Sequence, residues 1–547
     1  MQYLVVIETP GIHSYLFASP WLQEIRGAGV LLDLLNRREI KMLPKRLGAS
    51  AFARLFLGGG VGRILFGRGE DARAFVEAVR DRYRENGVSA HAAVQLLERR
   101  PGQMLVDWVG EGVGLARSGF AVSPRTEASP MAPGARPCSS CGNESVPLAE
   151  TGPGGAAVCP ACLKKRRAAD RLYGGAKPAP KGYRPLESAH NLARRYSNKF
   201  IVTNLAQANE AEGYSVYVPA SFEAIGRASR PAGYVGLLHA SANRVGEAVR
   251  RLGSLCGNDE EAARAYRACS EIVDRAIRDA AVEAVLERVA IKTVKELDRF
   301  IPAEFILGGG EDLLLAVPAQ NALDVAVHFM GAFQKKTVEL QEHFMEKKDL
   351  KGFFAPNGLT ASVGVVLAHA HHPFGDLSVP VAQLLTQAKA RSAALSRQLT
   401  HGEAGGEETG TVDFMVFRDG GTGVSGEKRD PKAGQSAFTS TSVSLTGRPH
   451  TCSEAKRFLE TVRALKSQGV TSSKLRSLLV EASRELGRTP VGVDAGSGTA
   501  ENRAVGHAVQ ELLARVPHPP FHERSDGGWS TCFMELEEVY DFINLRQ

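Results

Sequence analysis

The chain has 547 residues, 43% of them hydrophobic and 23% charged, with a net charge of +7 at neutral pH. That length exceeds what one core organises, so three or four domains are expected, and so mild a net charge says little until its distribution is known. No apolar run approaches a membrane span and Met1–Ile7 lacks the basic start of a secretory signal, which predicts a cytoplasmic protein with no membrane partner.

Tyr3–Glu8, rich in β-branched residues, predicts an opening strand, followed by a helix from about Ser19 to Asn36. Leu55–Phe66 is two apolar runs around Gly58-Gly59-Gly60, a glycine hairpin, and Asp71–Asn86 has the periodicity of an amphipathic helix. Pro-, Gly- and Ser-rich flanks then set off an insertion at residues 126–185. It contains Cys138-Ser139-Ser140-Cys141 and Cys159-Pro160-Ala161-Cys162, two CxxC pairs with 17 residues between them. Two such pairs, each on a turn, offer four thiolates to one tetrahedral ion, which predicts a zinc ribbon whose closed shell makes it structural. The isolated Cys256, Cys269, Cys452 and Cys532 read as buried free thiols. Positive charge concentrates from Lys164-Lys165-Arg166-Arg167 through Arg171, Lys177, Lys181, Arg184, Arg194 and Arg195 to Lys199, either a nucleic-acid face or a solvated basic one.

A strand at Tyr214–Val218 and a break near Ser229-Arg230-Pro231 end the first unit. The second opens with a strand at Tyr234–Ala240, continues as helix from about Val245 to Leu297 with Asn258 as a cap, and reaches a second hairpin. There Glu304-Phe305-Ile306 and Leu313–Val317 flank Leu307-Gly308-Gly309-Gly310-Glu311-Asp312. Glycine accepts the positive φ of such a turn and lets a phosphate approach the backbone. Two carboxylates beside it suit a divalent cation and, through it, a nucleoside triphosphate. Helix from Ala319 to Phe344, strand from Leu359 to Ala370 and helix from Ser378 to Gln398 complete the order of a ferredoxin-like palm. The first unit has the same opening strand and glycine hairpin with Val61-Gly62 in place of the acids, which predicts an internal duplication with one bare copy. His369, His371 and His372 sit at a strand end, where a loop or surface pair is favoured over a metal site. After a loop-rich stretch with one strand near Val412–Phe417, Phe458, Leu459, Val462 and Leu465 share one helix face, Leu475, Leu478 and Leu479 another, and Leu536, Val539, Tyr540 and Ile543 a last one.

The expected fold class is α+β: two ferredoxin-like palm (nucleotide-cyclase/polymerase-like) domains, a zinc ribbon and a C-terminal helical bundle. The boundaries are 1–125 for the first palm, 126–185 for the ribbon, 186–230 for the rest of the first palm, 231–436 for the second palm and 437–547 for the helical domain.

These motifs together resemble the large palm-domain subunit (Cas ten) of type III CRISPR effector complexes. Tyr15–Pro20 with Glu24–Ala28 is similar to its first-palm signature, the four cysteines to its central metal element, and Gly309-Gly310-Glu311-Asp312 to its Gly-Gly-Asp-Asp. Ser362–His369, Ala388-Lys389, Leu445–Pro449 and Glu535–Phe542 resemble its later segments. The resemblance implies ATP bound with Mg or Mn, guide RNA and target RNA reached through a multi-subunit complex, and synthesis of cyclic oligoadenylate. It assigns metal-facing roles to Glu311 and Asp312, and nucleotide-binding roles to Gly308, Gly309, Gly310, Ser241, Asn243 and Lys389. Cys138, Cys141, Cys159 and Cys162 would hold the zinc. One departure matters: where the family carries a first-strand aspartate this chain has Ser241-Ala242-Asn243, and a neutral hydroxyl is a poor substitute at a hard cation. The enzymatic reading is weakened accordingly, and a catalytically inactive RNA- and partner-binding scaffold or a free-standing cyclase stay open. With no His-Asp dipeptide in the sequence, the N-terminal nuclease found in many relatives is not expected.

Overall fold

In the computed structural model the described residues are 1–58, 60–88, 92–122, 135–142, 144–147, 157–173, 183–185, 215–290, 292–295, 298–348, 355–400, 409–417, 443–444, 447–488, 511, 514–515, 521–523 and 529–545. The expectations for Lys177, Lys181, Arg194, Arg195, Lys199, Leu445 and Thr446 lie outside them.

The first unit is an antiparallel sheet of β1 (Tyr3–Glu8), β2 (Phe52–Gly58), β3 (Val61–Phe66) and β4 (Ala93–Glu98) in the order β2-β3-β1-β4. Between β1 and β2 the chain forms the helix Leu22–Leu34, a π-helical turn Leu35–Ile40 and the helix Lys41–Arg46, so the predicted helix runs on and changes pitch. The helix Gly69–Glu85 leads to β4, and Leu105–Val122 follows it; β4 and this last helix were not foreseen.

A small hairpin of β5 (Ala135–Pro137) and β6 (Ser145–Pro147) precedes the helix Pro160–Tyr173. After β7 (Tyr183–Pro185) and β8 (Ser215–Pro219), β9 (Tyr234–Ala242) opens the second unit. The predicted long helix is two, Val245–Ser254 and Asp259–Arg288, and Asn258 caps the second as expected, its side chain accepting from the Glu260 and Glu261 N–H groups at 3.1 and 3.0 Å. Beyond it the chain turns to strand rather than staying helical: β10 (Lys292–Lys295) and β11 (Asp298–Phe300) join β8 and β7 in a separate sheet. Then come β12 (Glu304–Gly309), β13 (Asp312–Pro318), the helix Ala319–Lys348, β14 (Ala361–His369), the helix Phe374–Thr400 and β15 (Thr411–Val416). The second sheet runs β12-β13-β9-β14-β15, so its first four strands repeat the order of the first sheet. After β16 (Val443–Ser444), the short β17 (His450–Thr451) extends that sheet beside β15.

Alternation along the strands gives the second sheet two apolar faces. Leu238, Ala240, Leu313 and Leu315 pack with the helices Asp259–Arg288 and Ala319–Lys348. Leu237, Leu314, Ala316 and Val366 pack instead with Val5, Ile7, Ile25 and Leu32 of the first unit, so the two units share a core. The C-terminal helix Cys452–Ser467, fixed by a Thr451–Glu454 capping box, buries Phe458, Leu459, Val462 and Leu465 as predicted. Those residues belong to the same core as the second sheet, so the helical tail packs onto that sheet. Among the described residues no helix is long and apolar enough to cross a membrane.

Arg26 joins the units. Fully buried on the helix Leu22–Leu34, it pairs with buried Glu304 at the start of β12, its Nε donating at 2.9 Å, and Nη2 also donates to the Pro219 carbonyl at 2.8 Å. Removing one member of a buried pair strands the other charge, so Arg26→Met is expected to cost about 3–5 kcal/mol in urea unfolding, while Arg26→Met with Glu304→Leu recovers most of it.

Candidate functional site

β12 ends at Gly309, Gly310 and Glu311 form the turn, and Asp312 begins β13. Gly309 and Gly310 have φ of +152° and +65°, values that L side chains rarely adopt, which explains glycine at both. Space is the second reason at Gly309, where a Cβ would stand 2.7 Å from Arg37 Nη2 and 3.0 Å from Asp274 Oδ1.

Both of those groups were missed in the sequence. Asp274, buried on the helix Asp259–Arg288, accepts from the Gly310 N–H at 2.7 Å, from Arg37 Nη2 at 2.6 Å and from Arg278 Nη2 at 2.7 Å. Arg37 sits on the π-helical turn and also holds Asp33, at 2.5 Å. The flanking guanidiniums keep the Asp274 carboxyl below the usual carboxylate range despite its burial. The glycine turn, expected to be open to a phosphate, thus has one of its N–H groups already committed to a protein carboxylate.

On the other side of the hairpin, Asp312 lies opposite Ser241 across β13 and β9, and Ser241 lies opposite Ser362 on β14. Lys389, a lysine of the helix Phe374–Thr400 that suits either a triphosphate or solvent, is half-buried and donates to Ser241 Oγ at 2.7 Å. Ser241, Asp312 and Lys389 are therefore brought together. Asn243 is not: its amide is buried, donating to Thr360 Oγ1 at 3.1 Å and Ser392 Oγ at 3.2 Å and accepting from Ser362 Oγ at 3.0 Å. With its donors and acceptor engaged by Thr360, Ser392 and Ser362, it ties the end of β9 to β14 and to the helix Phe374–Thr400.

Glu311 reaches toward the first unit. Arg117 lies 3.6 Å from its Oε1 and 3.1 Å from Oε2 of Glu8, the last residue of β1. Glu8 is itself buried against Arg63. Burial, then the neighbouring Asp312, push the Glu311 carboxyl above its ordinary value, partly offset by Lys389 and Arg117. His239, on the same face of β9 as Ser241, packs against His13 with ring centroids 4.5 Å apart and planes tilted by 56°, and the Nδ1 atoms of both are buried without a partner. Burial, with His13 beside it, holds the His239 imidazole well below its ordinary value.

Among the described residues only Cys138, Cys141, Cys159 and Cys162 form a set of three or more metal-ligating side chains whose ligand atoms lie within 4.8 Å of one another. Glu311 and Asp312 thus offer a cation two carboxylates without a third protein side chain at that spacing. His371 stands 3.6 Å from Glu223 and 5.1 Å, ring to ring, from His369, and forms no such set.

The cysteine sulfurs fit one ion. Cys141 Sγ and Cys159 Sγ are 3.9 Å apart, against about 3.8 Å for the edge of a tetrahedron with metal–sulfur bonds of about 2.3 Å. Cys138 Sγ accepts from the Ser140 and Cys159 N–H groups at 3.4 and 3.2 Å. The first pair is on a turn as expected, but the second opens the helix Pro160–Tyr173, because Pro160 suits the first helical position. The element is docked on the first unit. Buried Glu24 accepts from Ser140 Oγ at 2.9 Å and Arg166 Nε at 2.6 Å, and Lys165 is buried, donating to the Tyr15 carbonyl at 2.7 Å. Lys165 is therefore no part of a solvated basic face.

Residues 234–395 match the family model described as the second palm domain of Cas10/Cmr2. No curated protein matches the chain. Among solved structures, a Csm1–Csm4 cassette in complex with cA4 is similar at 13% identity and a TM-score of 0.47, over 88% of this chain and 63% of that one. The cassette in complex with AMPPNP gives 13% and 0.46, over 94% and 69%. A Csm1–Csm4 subcomplex of the type III-A CRISPR–Csm interference complex gives 14% and 0.40, over 71% and 53%. The chain thus spans less than two thirds of the length of the first of these.

A pH test follows from His239. Its folded-state value lies below the ordinary 6.5, so the unfolded chain takes up a proton that the folded one refuses. The stability it supports is present above that ordinary value and declines as pH falls below it, by about 1.4 kcal/mol per pH unit. In denaturant titrations across this range, His239→Leu should show a shallower decline than wild type by that amount.

Proposed function

We propose that this chain, which carries a Cas10/Cmr2 second palm domain, is the large subunit of a type III CRISPR RNA-guided antiviral effector complex and binds ATP at the Gly309–Asp312 hairpin. The proposed organisation is a first palm without metal ligands (1–125), a zinc element (126–185), the second palm (231–436) and a C-terminal helical region (437–547); residues 186–230, expected as the rest of the first palm, supply β8 to the sheet it forms with β10 and β11 instead. Guide and target RNA are reached through partner subunits, in the cytoplasm.

The observation that carries the nucleotide reading is the hydrogen bond from Lys389 to Ser241, with Asp312 opposite Ser241 in the strand register. It sets an ammonium against a hydroxyl at the end of the palm's central strand, beside the strand position that carries a carboxylate. Lys389 and Arg117 are the cations available to phosphate oxygens, and Glu311 and Asp312 the acids available to Mg or Mn. A bound divalent ion would supply charge neutralisation of the triphosphate and activation of the attacking hydroxyl. This chain's own residues favour the first role over the second: Lys389 already bonds the side chain that replaces the family's first-strand acid. ATP binding is therefore retained and oligoadenylate synthesis is slow.

Calorimetric titration of ATP with Mn should show roughly ten- to hundredfold weaker binding in Lys389→Met, in keeping with loss of one charge-assisted contact of about 1.5–3 kcal/mol. Ser241→Asp restores a carboxylate opposite Asp312 and should raise oligoadenylate formation by the assembled, RNA-bound complex. Unchanged ATP affinity in Lys389→Met would remove the nucleotide reading, and an unchanged rate in Ser241→Asp would remove the account of why synthesis is slow.

The four cysteines hold one structural zinc ion. Metal analysis of the purified chain should find about one zinc per chain and, in Cys159→Ser, almost none, with a lowered melting temperature because binding free energy is folding free energy for such sites.

A further inference from the structure

Beside the hairpin, and not lined by Glu311, Asp312 or Lys389, lies a cavity of about 1170 Å3. Its walls come from the end of the helix Leu22–Leu34 and the π-helical turn, from β2, from the helix Asp259–Arg288 and from the helix Pro160–Tyr173. It is large enough for a nucleotide, since small-molecule sites usually run to about 300–1,000 Å3.

Its charge is unbalanced in one direction. Arg38, Lys41, Arg54 and Arg167 line it, and among the described residues no carboxylate forms an ion pair with any of them. The acids in the wall are engaged: Asp33 and Asp274 on Arg37, Glu39 at 3.9 Å from Arg82, and Glu271 with a partner of its own. Unpaired guanidiniums around an open cavity are matched by phosphate oxygens, which accept two parallel N–H bonds from one Arg. Apolar surface is present too. Phe52 and Phe56, both half-buried, lie on β2, the edge strand of the first sheet. Aromatic faces among cations are the combination that holds bases together with their phosphates.

We propose that this cavity binds a base-bearing phosphate ester, at a site separate from the hairpin. The same chemistry is offered by a free nucleotide and by a segment of single-stranded RNA, and the test separates them. The full chain is titrated with ATP and, in parallel, with a fluorescein-labelled single-stranded hexa-adenylate, in the Lys389→Met background so that the hairpin contributes least. Residual binding should fall about tenfold or more in Arg38→Glu with Arg167→Glu, less in Arg38→Gln with Arg167→Gln, and the dependence of log affinity on log salt should become shallower. Both residues are exposed, so melting curves should not move. A response of ATP alone identifies a free nucleotide, and of hexa-adenylate alone an RNA strand. No residual binding in Lys389→Met, or residual binding of both probes within twofold after charge reversal, overturns the proposal. Failure of the hairpin reading shows elsewhere, as Lys389→Met leaving the ATP affinity of the otherwise wild-type chain unchanged.

Discussion

Two guanidiniums on one helical segment hold the halves of this protein together. Arg26 and Arg37 both belong to the first unit, and each reaches an acid of the second, Glu304 and Asp274. The pairs grip the β12–β13 hairpin at its base and near its turn. Burying charges is expensive, and such pairs contribute little net stability compared with apolar substitutes. What they do here is remove freedom: the hairpin cannot shift along the shared core without stranding a charge, and non-directional apolar contacts alone would permit small shifts. The π-helical turn at Leu35–Ile40 belongs to the same arrangement, since Arg37 stands on it.

The local electrostatics of the acidic tip depend on the neutral side chain at position 241. With a carboxylate at position 241, the end of β9 and the start of β13 would present adjacent negative charges that only a strong cation could hold together. With serine there, the repulsion is gone and an ammonium from the facing helix is sufficient. Lys389 beside Ser241, together with Arg117 between Glu8 and Glu311, leaves each acid of the tip near a cation supplied by the chain itself.

The sequence was most legible where an element's chemistry is local. Alternating apolar strands, glycines at a tight turn, Asn258 before a helix and paired CxxC units each carry their explanation within a few residues, and the structure has them in those places. The groups that surround the hairpin were illegible because their partners are far away in the chain: Arg37 and Asp274 are 237 residues apart. Nothing near Glu8 or Arg117 indicates that they meet Glu311. The bonds of Asn243 were illegible for a related reason, since an amide at a strand end has the same local signature whether it turns outward or inward to Thr360, Ser362 and Ser392. Lys165, read as one member of a basic run, is fixed by the carbonyl of Tyr15, a residue 150 positions earlier.

The crossing of the helices Leu22–Leu34 and Pro160–Tyr173 has a thermodynamic consequence. At Gly27 a Cβ would lie 1.8 Å from the Lys165 carbonyl oxygen, so the two backbones are in direct contact there. The helix that makes this contact begins between Cys159 and Cys162 and is anchored by the four sulfurs. An ion that binds those sulfurs only in the folded chain shifts the folding equilibrium by mass action, in proportion to the logarithm of its free concentration. Because Arg26 stands next to Gly27 on the same helix, that dependence extends to the shared core of the two sheets. The stability of the β12–β13 hairpin would thereby depend on whether those sulfurs hold an ion, through the helix Leu22–Leu34, which contributes none of the four cysteines.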